Sequence, residues 1–81
     1  MMIVIAEETA PKLYKELFEN QHNFTVMTNH LLSFNKRMKV DKDVPMGALL
    51  FGDRLIVDEN CWKSFQEMCV DAGIILDFTN H

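Results

Sequence analysis

The apolar positions of the first eighteen residues change from an unbroken run to a helical spacing. Residues 2–6 form the run and include β-branched side chains, which predicts a strand buried on both faces. Thr9 stands where it can cap a following helix, and Pro11 suits the first helical turn. The apolar residues of that helix repeat at the spacing of one face: Ala10, Leu13, Tyr14, Leu17 and Phe18.

The pattern between residues 23 and 40 is weaker. Over residues 23–28, Phe24 and Val26 point to one side and the intervening residues to the other, which predicts a strand. Residues 29–40 fit a helix through Leu31, Phe34 and Met38, or an alternation through Leu32, Phe34, Met38 and Val40. The alternation covers more residues and leaves the charges on one side, so it favours a strand, with a helix as the alternative.

The second half of the chain begins with turn residues. Residues 41–47 hold charges, a proline and a glycine, and predict a loop. The apolar runs 48–51 and 54–58 flank the pair Gly52-Asp53. Glycine followed by aspartate suits a two-residue type II′ turn, so these runs predict a β-hairpin.

A second helix and a last strand complete the pattern. Asp58 can cap this helix and Gly73 suits its left-handed end. Its apolar face is formed by Cys61, Phe65, Met68, Cys69 and Ala72. The apolar spacing of residues 74–78 predicts the last strand, directly after this helix. The order β-α-β-(β)-β-β-α-β indicates one α+β domain over residues 1–81, with two helices packed on one face of a mainly antiparallel sheet, as an elaborated ferredoxin-like sandwich.

Composition agrees with a folded domain in a reducing compartment. Of the 81 residues 48% are hydrophobic and 25% charged, with a formal net charge of −4, which excludes an intrinsically disordered chain. No stretch approaches the ~20 apolar residues of a transmembrane helix, and no cationic region precedes the first apolar run as in a signal peptide. Cys61 and Cys69 would lie about 12 Å apart along one helix, too far for a disulfide. We therefore expect a cytoplasmic protein without a membrane partner.

Two acidic pairs follow predicted strands. Glu7-Glu8 and Asp58-Glu59 would lie on one rim of the sheet if their strands were the parallel central pair of a ferredoxin-like sheet. Local helix capping explains each acid by itself. The functional alternative is a docking rim for a cationic protein surface, or a Mg²⁺ site. Trp62 stands one step off the apolar face of the second helix, where it either covers the core edge or anchors a partner.

A basic stretch interrupts this acidic chain. It contains Lys36, Arg37, Lys39 and Lys42, together with Asp41. The stretch carries +3, which leaves −7 for the remainder of the chain. A solvated face is the ordinary interpretation of such a run, and contact with nucleic acid is the alternative.

Chemical motifs are weak. Cys61 would begin a helix, where a thiol can become reactive, but it shares the apolar face and is expected to pack in the core. His22, His30 and His81 lack the paired spacings of a zinc site, and the sequence has no phosphate loop or nucleophile elbow. We expect no metal, no cofactor and no enzymatic activity.

The function is therefore expected to lie on the surface. The first hypothesis is a small protein-interaction module, an adaptor or a surface-occupying inhibitor, of the kind that accessory proteins of mobile elements provide. The alternative is a self-assembling subunit, a homo-oligomer joined through an exposed sheet edge. The third hypothesis is contact with nucleic acid through residues 36–42.

Overall fold

The computed structural model describes residues 1–79 as an α+β fold in which three α-helices accompany a three-stranded antiparallel sheet. A short 3₁₀ helix, Glu59–Cys61, leads into the last α-helix. In chain order the main elements are β1 (Met2–Ile5), α1 (Pro11–Phe18), α2 (Gln21–Lys42), β2 (Ala48–Phe51), β3 (Arg54–Asp58) and α3 (Trp62–Asp71). None of the helices among these residues is long and apolar enough to cross a membrane.

The sheet has the order β1-β3-β2, and both pairings are antiparallel. Val4 of β1 and Leu49 of β2 both lie opposite Ile56, the middle residue of β3. The predicted α+β class is confirmed, but the ferredoxin-like arrangement is not, because three strands form where the sequence pattern predicted more. The predicted parallel pairing of the strands that precede the two acidic pairs is wrong, since β1 and β3 run in opposite directions.

The strands predicted over residues 23–28 and 29–40 are wrong, because both segments belong to the 22-residue helix α2. The side chain of Asn20 caps this helix by accepting a hydrogen bond from the Asn23 amide. Its buried positions follow helical spacing: Met27, Leu31, Phe34 and Met38. The helix also takes up the first residues of the predicted loop, and it ends at Asp43, whose φ of 54° is left-handed.

The predicted hairpin is confirmed. Phe51 pairs with Arg54 across a two-residue turn, in which Gly52 has a φ of 62° and Asp53 is not among the residues with positive φ. One positive φ at the first central position is the mark of a type II′ turn.

The predicted end of the last helix is also confirmed. The Ile74 amide donates to the Cys69 carbonyl at 2.8 Å, the Gly73 amide donates to the Val70 carbonyl at 3.1 Å, and Gly73 has a φ of 72°. These are the two hydrogen bonds and the left-handed residue of a Schellman cap. Asp58 caps the preceding 3₁₀ turn by accepting from the Asn60 amide.

The strand predicted over residues 74–78 does not form. This segment runs without regular structure, and Asp77 accepts hydrogen bonds from the Lys12 and Leu13 amides at 2.9 and 3.1 Å. Because Pro11 has no amide hydrogen, these are the first donors that α1 leaves free. Asp77 thus caps α1 from the far end of the chain. Thr9, the predicted cap, instead hydrogen-bonds the strand end through the Val4 carbonyl.

The helices cover one face of the sheet. Phe34 of α2 and Phe65 of α3 meet edge to face at 5.8 Å between ring centroids, and both are fully buried. The strand residues that join this core all have the same orientation in the pleat: Ile5, Ala48, Leu55 and Val57. The opposite face of the sheet lies outside the core.

Candidate functional site: the open face of the sheet

The face of the sheet that points away from the helices is apolar at its centre. By strand alternation it carries Val4, Leu49, Phe51 and Ile56, together with Met2 at its edge. We call this set the open sheet face. None of these five side chains belongs to the core or packs against it among residues 1–79. Antiparallel sheets with one solvated face normally place polar residues there, so this face has the composition of a buried surface.

The centre of the open sheet face is one row across all three strands. Val4 lies opposite Ile56, and Ile56 lies opposite Leu49. Directly opposed side chains on one face of a sheet lie about 5 Å apart, so the three form a continuous apolar band. Val4 and Ile56 are half-buried by their neighbours, whereas Leu49 is 39% exposed and Phe51, beyond the band, is 67% exposed.

Opposite charges stand at the two ends of this face. Arg54 and Asp58 share the outward orientation of Ile56, because each lies two residues from it along β3. Arg54 is exposed and approaches Asp53 at 3.9 Å, a weak surface pair. Asp58 is half-buried and already accepts one hydrogen bond, from the Asn60 amide at 2.8 Å.

Both edges of the sheet are partly closed by side chains. At β2, the Asn35 amide group donates to the Ala48 carbonyl at 2.8 Å and accepts from the Ala48 and Gly47 amides at 2.8 and 3.1 Å. At β1, the Thr9 hydroxyl donates to the Val4 carbonyl and accepts from the Ala6 amide. These contacts occupy main-chain groups that a further strand would need.

A shallow groove adjoins the open sheet face at β2. It lies between α2 and β2, has a volume of about 310 Å³, and shares Leu49 with the sheet face. Leu32, on the helical wall of this groove, is 61% exposed. Apolar surface therefore continues from the sheet around its edge to α2.

The structure separates the acidic residues that were predicted to share a rim. Because β1 and β3 are antiparallel, Glu7 and Glu8 follow the end of β1 that lies beside the hairpin, while Asp58 and Glu59 follow the other end of the pair. The single acidic rim is therefore wrong as a geometric expectation. A partner-binding role for the individual acids stays a prediction.

Each acidic pair has its own surroundings. Partial burial, followed by the carboxylates of Asp53, Glu7, Glu19 and Glu8, raises the pKa of the Tyr14 hydroxyl. At the other end, Glu59 accepts a hydrogen bond from the Met1 ammonium group at 3.1 Å. The Met1 contact and the Asn60 amide give Glu59 and Asp58 local roles in the fold.

Trp62 covers the edge of the core. Its ring stacks on Phe65 at 5.8 Å between centroids and meets Phe78 at 5.0 Å, and the side chain is partly buried. Along the chain it follows Asp58 and Glu59, directly after the 3₁₀ turn. The aromatic contacts on both sides account for its position without a partner.

The basic residues lie along the exposed side of the second half of α2, on a helix rather than the predicted strand or loop. The Arg37 guanidinium lies 5.9 Å from the ring centroid of Phe34, one turn earlier. Lys39 and Lys42 occupy the last turn, where positive charge complements the helix dipole. Lys36 is exposed as well. Nucleic-acid contact through these residues stays a prediction.

The two cysteines are buried in the core. Cys61 is 0% and Cys69 1% exposed, and both are free thiols. Burial raises the pKa of the Cys61 thiol, with a further increase from Asp58 and an opposing effect of Lys42; burial alone raises the pKa of Cys69 to about 11. A raised pKa reduces the thiolate fraction, so both thiols have the chemistry of core residues. Within residues 1–79 no three histidine, cysteine or acidic side chains converge as a metal site requires.

The open sheet face was not predicted from the sequence, although a signal for it was present. The runs 2–6, 48–51 and 55–57 are apolar at both alternating positions. That pattern predicts strands covered on both faces, and the described chain covers only one.

No family model matches this sequence, and no similar protein was found among curated proteins or solved structures.

Proposed function

We propose that this chain is a small protein-interaction module that acts by binding another protein through the open sheet face. The observation that supports the proposal is the apolar band of Val4, Ile56 and Leu49 on the side of the sheet away from the helices. A contiguous exposed apolar surface on a small domain commonly marks a protein interface. With a different protein on this face the module would be an adaptor or a surface-occupying inhibitor, and with a second copy of the chain it would be a self-assembling subunit.

The exposed residues of this face are large enough to matter for binding. Burying a leucine or phenylalanine side chain completely contributes about 1.5–3 kcal/mol. Leu49 and Phe51 are 39% and 67% exposed, so covering both would contribute about 2–3 kcal/mol. That corresponds to a roughly 30- to 150-fold difference in affinity from two side chains.

The test places a photocrosslinking amino acid at one position at a time in the cells that naturally make the protein. Positions 49 and 51 lie on the open sheet face. Positions 40 and 70 are matched controls, because Val40 and Val70 are exposed valines of α2 and α3 at 83% and 77%. We expect covalent protein adducts from positions 49 and 51 and none from the controls.

The adduct is then purified and the partner protein in it is identified. The affinity of this partner for two double variants is measured. Leu49→Thr with Phe51→Thr removes apolar surface and keeps residues that suit strands, whereas Val40→Thr with Val70→Thr places the same polar residue at exposed apolar positions elsewhere. The first pair should weaken binding at least tenfold, by about 1.4 kcal/mol or more. Equal affinities for the two double variants, or adducts from all four positions, would refute the proposal.

A further inference from the structure

We infer that the protein that covers the open sheet face is a second copy of this chain. The two copies would be related by a two-fold axis that lies between their sheets and runs across the strands. This inference rests on the proposed function and names the partner of the same surface.

The charges on β3 match themselves under this operation. Arg54 and Asp58 lie on opposite sides of Ile56, each about 7 Å away along the strand. A two-fold axis across the strands at Ile56 reverses the direction of β3. It therefore brings Arg54 of each copy to the position of the other copy's Asp58, which forms two opposite-charge pairs.

The apolar band matches itself under the same operation. Val4, Ile56 and Leu49 form one row across the strands, and the axis runs along that row. Each of the three side chains then meets the equivalent side chain of the other copy. Two sheets that pack face to face in this way stand about 10 Å apart and form a sandwich, the arrangement that strands apolar on both sides favour.

The charges also select this orientation over the other two-fold arrangement of facing sheets. An axis along β3 would place Arg54 on the second copy's Arg54 and Asp58 on its Asp58. Like charges directly opposed destabilise an interface. Opposite charges at the two ends of one strand thus distinguish the antiparallel from the parallel sandwich.

Association through the sheet edges, the form of self-assembly expected from the sequence, has less support. Asn35 occupies the amide and carbonyl of Ala48 at one edge, and Thr9 occupies the Val4 carbonyl at the other. A strand added at either edge would have to displace these side chains. The open face requires no such rearrangement.

Sedimentation equilibrium over a concentration series from micromolar to near-millimolar tests the inference. We expect the average mass to rise from the 9.4 kDa of one chain towards twice that value. Leu49→Thr with Phe51→Thr should weaken the dimer at least about tenfold, whereas Val40→Thr with Val70→Thr should leave its dissociation constant unchanged. Circular dichroism of each variant checks that the fold is retained.

A charge exchange tests the orientation. Arg54→Glu should weaken the dimer about tenfold, because it places two acidic side chains opposite each other in each pair. Adding Asp58→Lys to this variant should restore most of the affinity. Asp58→Asn is the milder second variant, since it keeps an acceptor for the Asn60 amide and removes only the charge.

The outcomes separate the inference from the proposed function. If the average mass stayed at that of one chain at every concentration, the inference of a second copy would be overturned. Photocrosslinks from positions 49 and 51 to a different protein would still support the proposed interaction surface. A dimer that both threonine double variants form equally well would overturn the inference that a second copy covers this face, and the photocrosslinks would still decide the proposed function. A dimer that loses affinity in the first double variant but gains none from the charge exchange would overturn the antiparallel orientation.

Discussion

Replacing Asn35 by alanine tests how α2 holds the edge of the sheet that carries Leu49 and Phe51. The Asn35 amide makes three hydrogen bonds to the main chain of Gly47 and Ala48, at 2.8, 2.8 and 3.1 Å. This side chain donates to the Ala48 carbonyl and accepts from the Ala48 amide, as the main chain of a neighbouring strand would. Alanine removes all three bonds and leaves the helix intact, because alanine is the strongest helix former.

The expected loss of stability follows from these contacts. A hydrogen bond contributes about 1 kcal/mol net, so three bonds set an upper value of about 3 kcal/mol. The site is half-buried, and water can satisfy part of the freed main chain, which lowers the expected loss to about 2 kcal/mol. Urea unfolding followed by circular dichroism measures it. The slope with urea should stay unchanged, because the same surface is exposed on unfolding.

Asn29→Ala is the matched control. Asn29 lies on the same helix and is exposed, so its replacement should change the unfolding free energy by less than about 0.5 kcal/mol. If Asn35→Ala were as stable as this control, the three hydrogen bonds would not hold β2. The position of the open sheet face would then need another explanation.

Three further changes test other parts of the structure. Asp77→Ala should lower the unfolding free energy by about 1 kcal/mol in urea titrations, because the Lys12 and Leu13 amides lose their cap; an unchanged midpoint would contradict this role. Gly52→Ala should lower the melting temperature through a cost of about 1–2 kcal/mol, since alanine is strained at a φ of 62°; an equal or higher melting temperature would contradict it. Burial raises the pKa of Cys69 to about 11, so the unfolded thiol ionises first and stability should fall as pH rises from about 9 to 11. Cys69→Ala should reduce this fall in urea titrations at each pH, and equal slopes would contradict it.

Local patterns predicted those elements that have both a periodicity and a specific end residue. The first helix followed from its apolar face and Pro11, and the hairpin followed from Gly52-Asp53 between two apolar runs. The end of α3 followed from Gly73, which has the expected left-handed conformation. In each case a turn residue and the spacing of the apolar residues indicated the same structure.

The long helix α2 could not be decided from its pattern. Phe34 and Met38 lie four residues apart, a spacing that fits the same face of a helix and also the same side of a strand. Leu32 and Val40 supported the strand, but in the structure they are exposed on α2. Exposed apolar residues therefore imitated an alternation. In the structure Phe34 packs against Phe65, a tertiary contact that the local pattern does not contain.

The candidate site escaped prediction for a different reason. The acidic rim depended on parallel pairing of two strands, and pairing direction is a property of the whole fold rather than of the local sequence. The apolar character of the strands was visible in the sequence. Which of their faces the chain itself covers became apparent only once Ile5, Leu55 and Val57 were placed in the core and Ile56 outside it.

Methyl nuclear magnetic resonance tests the central claim, that a second copy covers the open sheet face. Chemical shifts of the methyl groups of Val4, Leu49 and Ile56 are followed as the protein is diluted, with those of Val40 and Val70 as references outside the face. We expect the first three to change together along one dimerisation curve while the two references stay constant. Shifts that stay constant at all five residues, or that change most at Val40 and Val70, would contradict it.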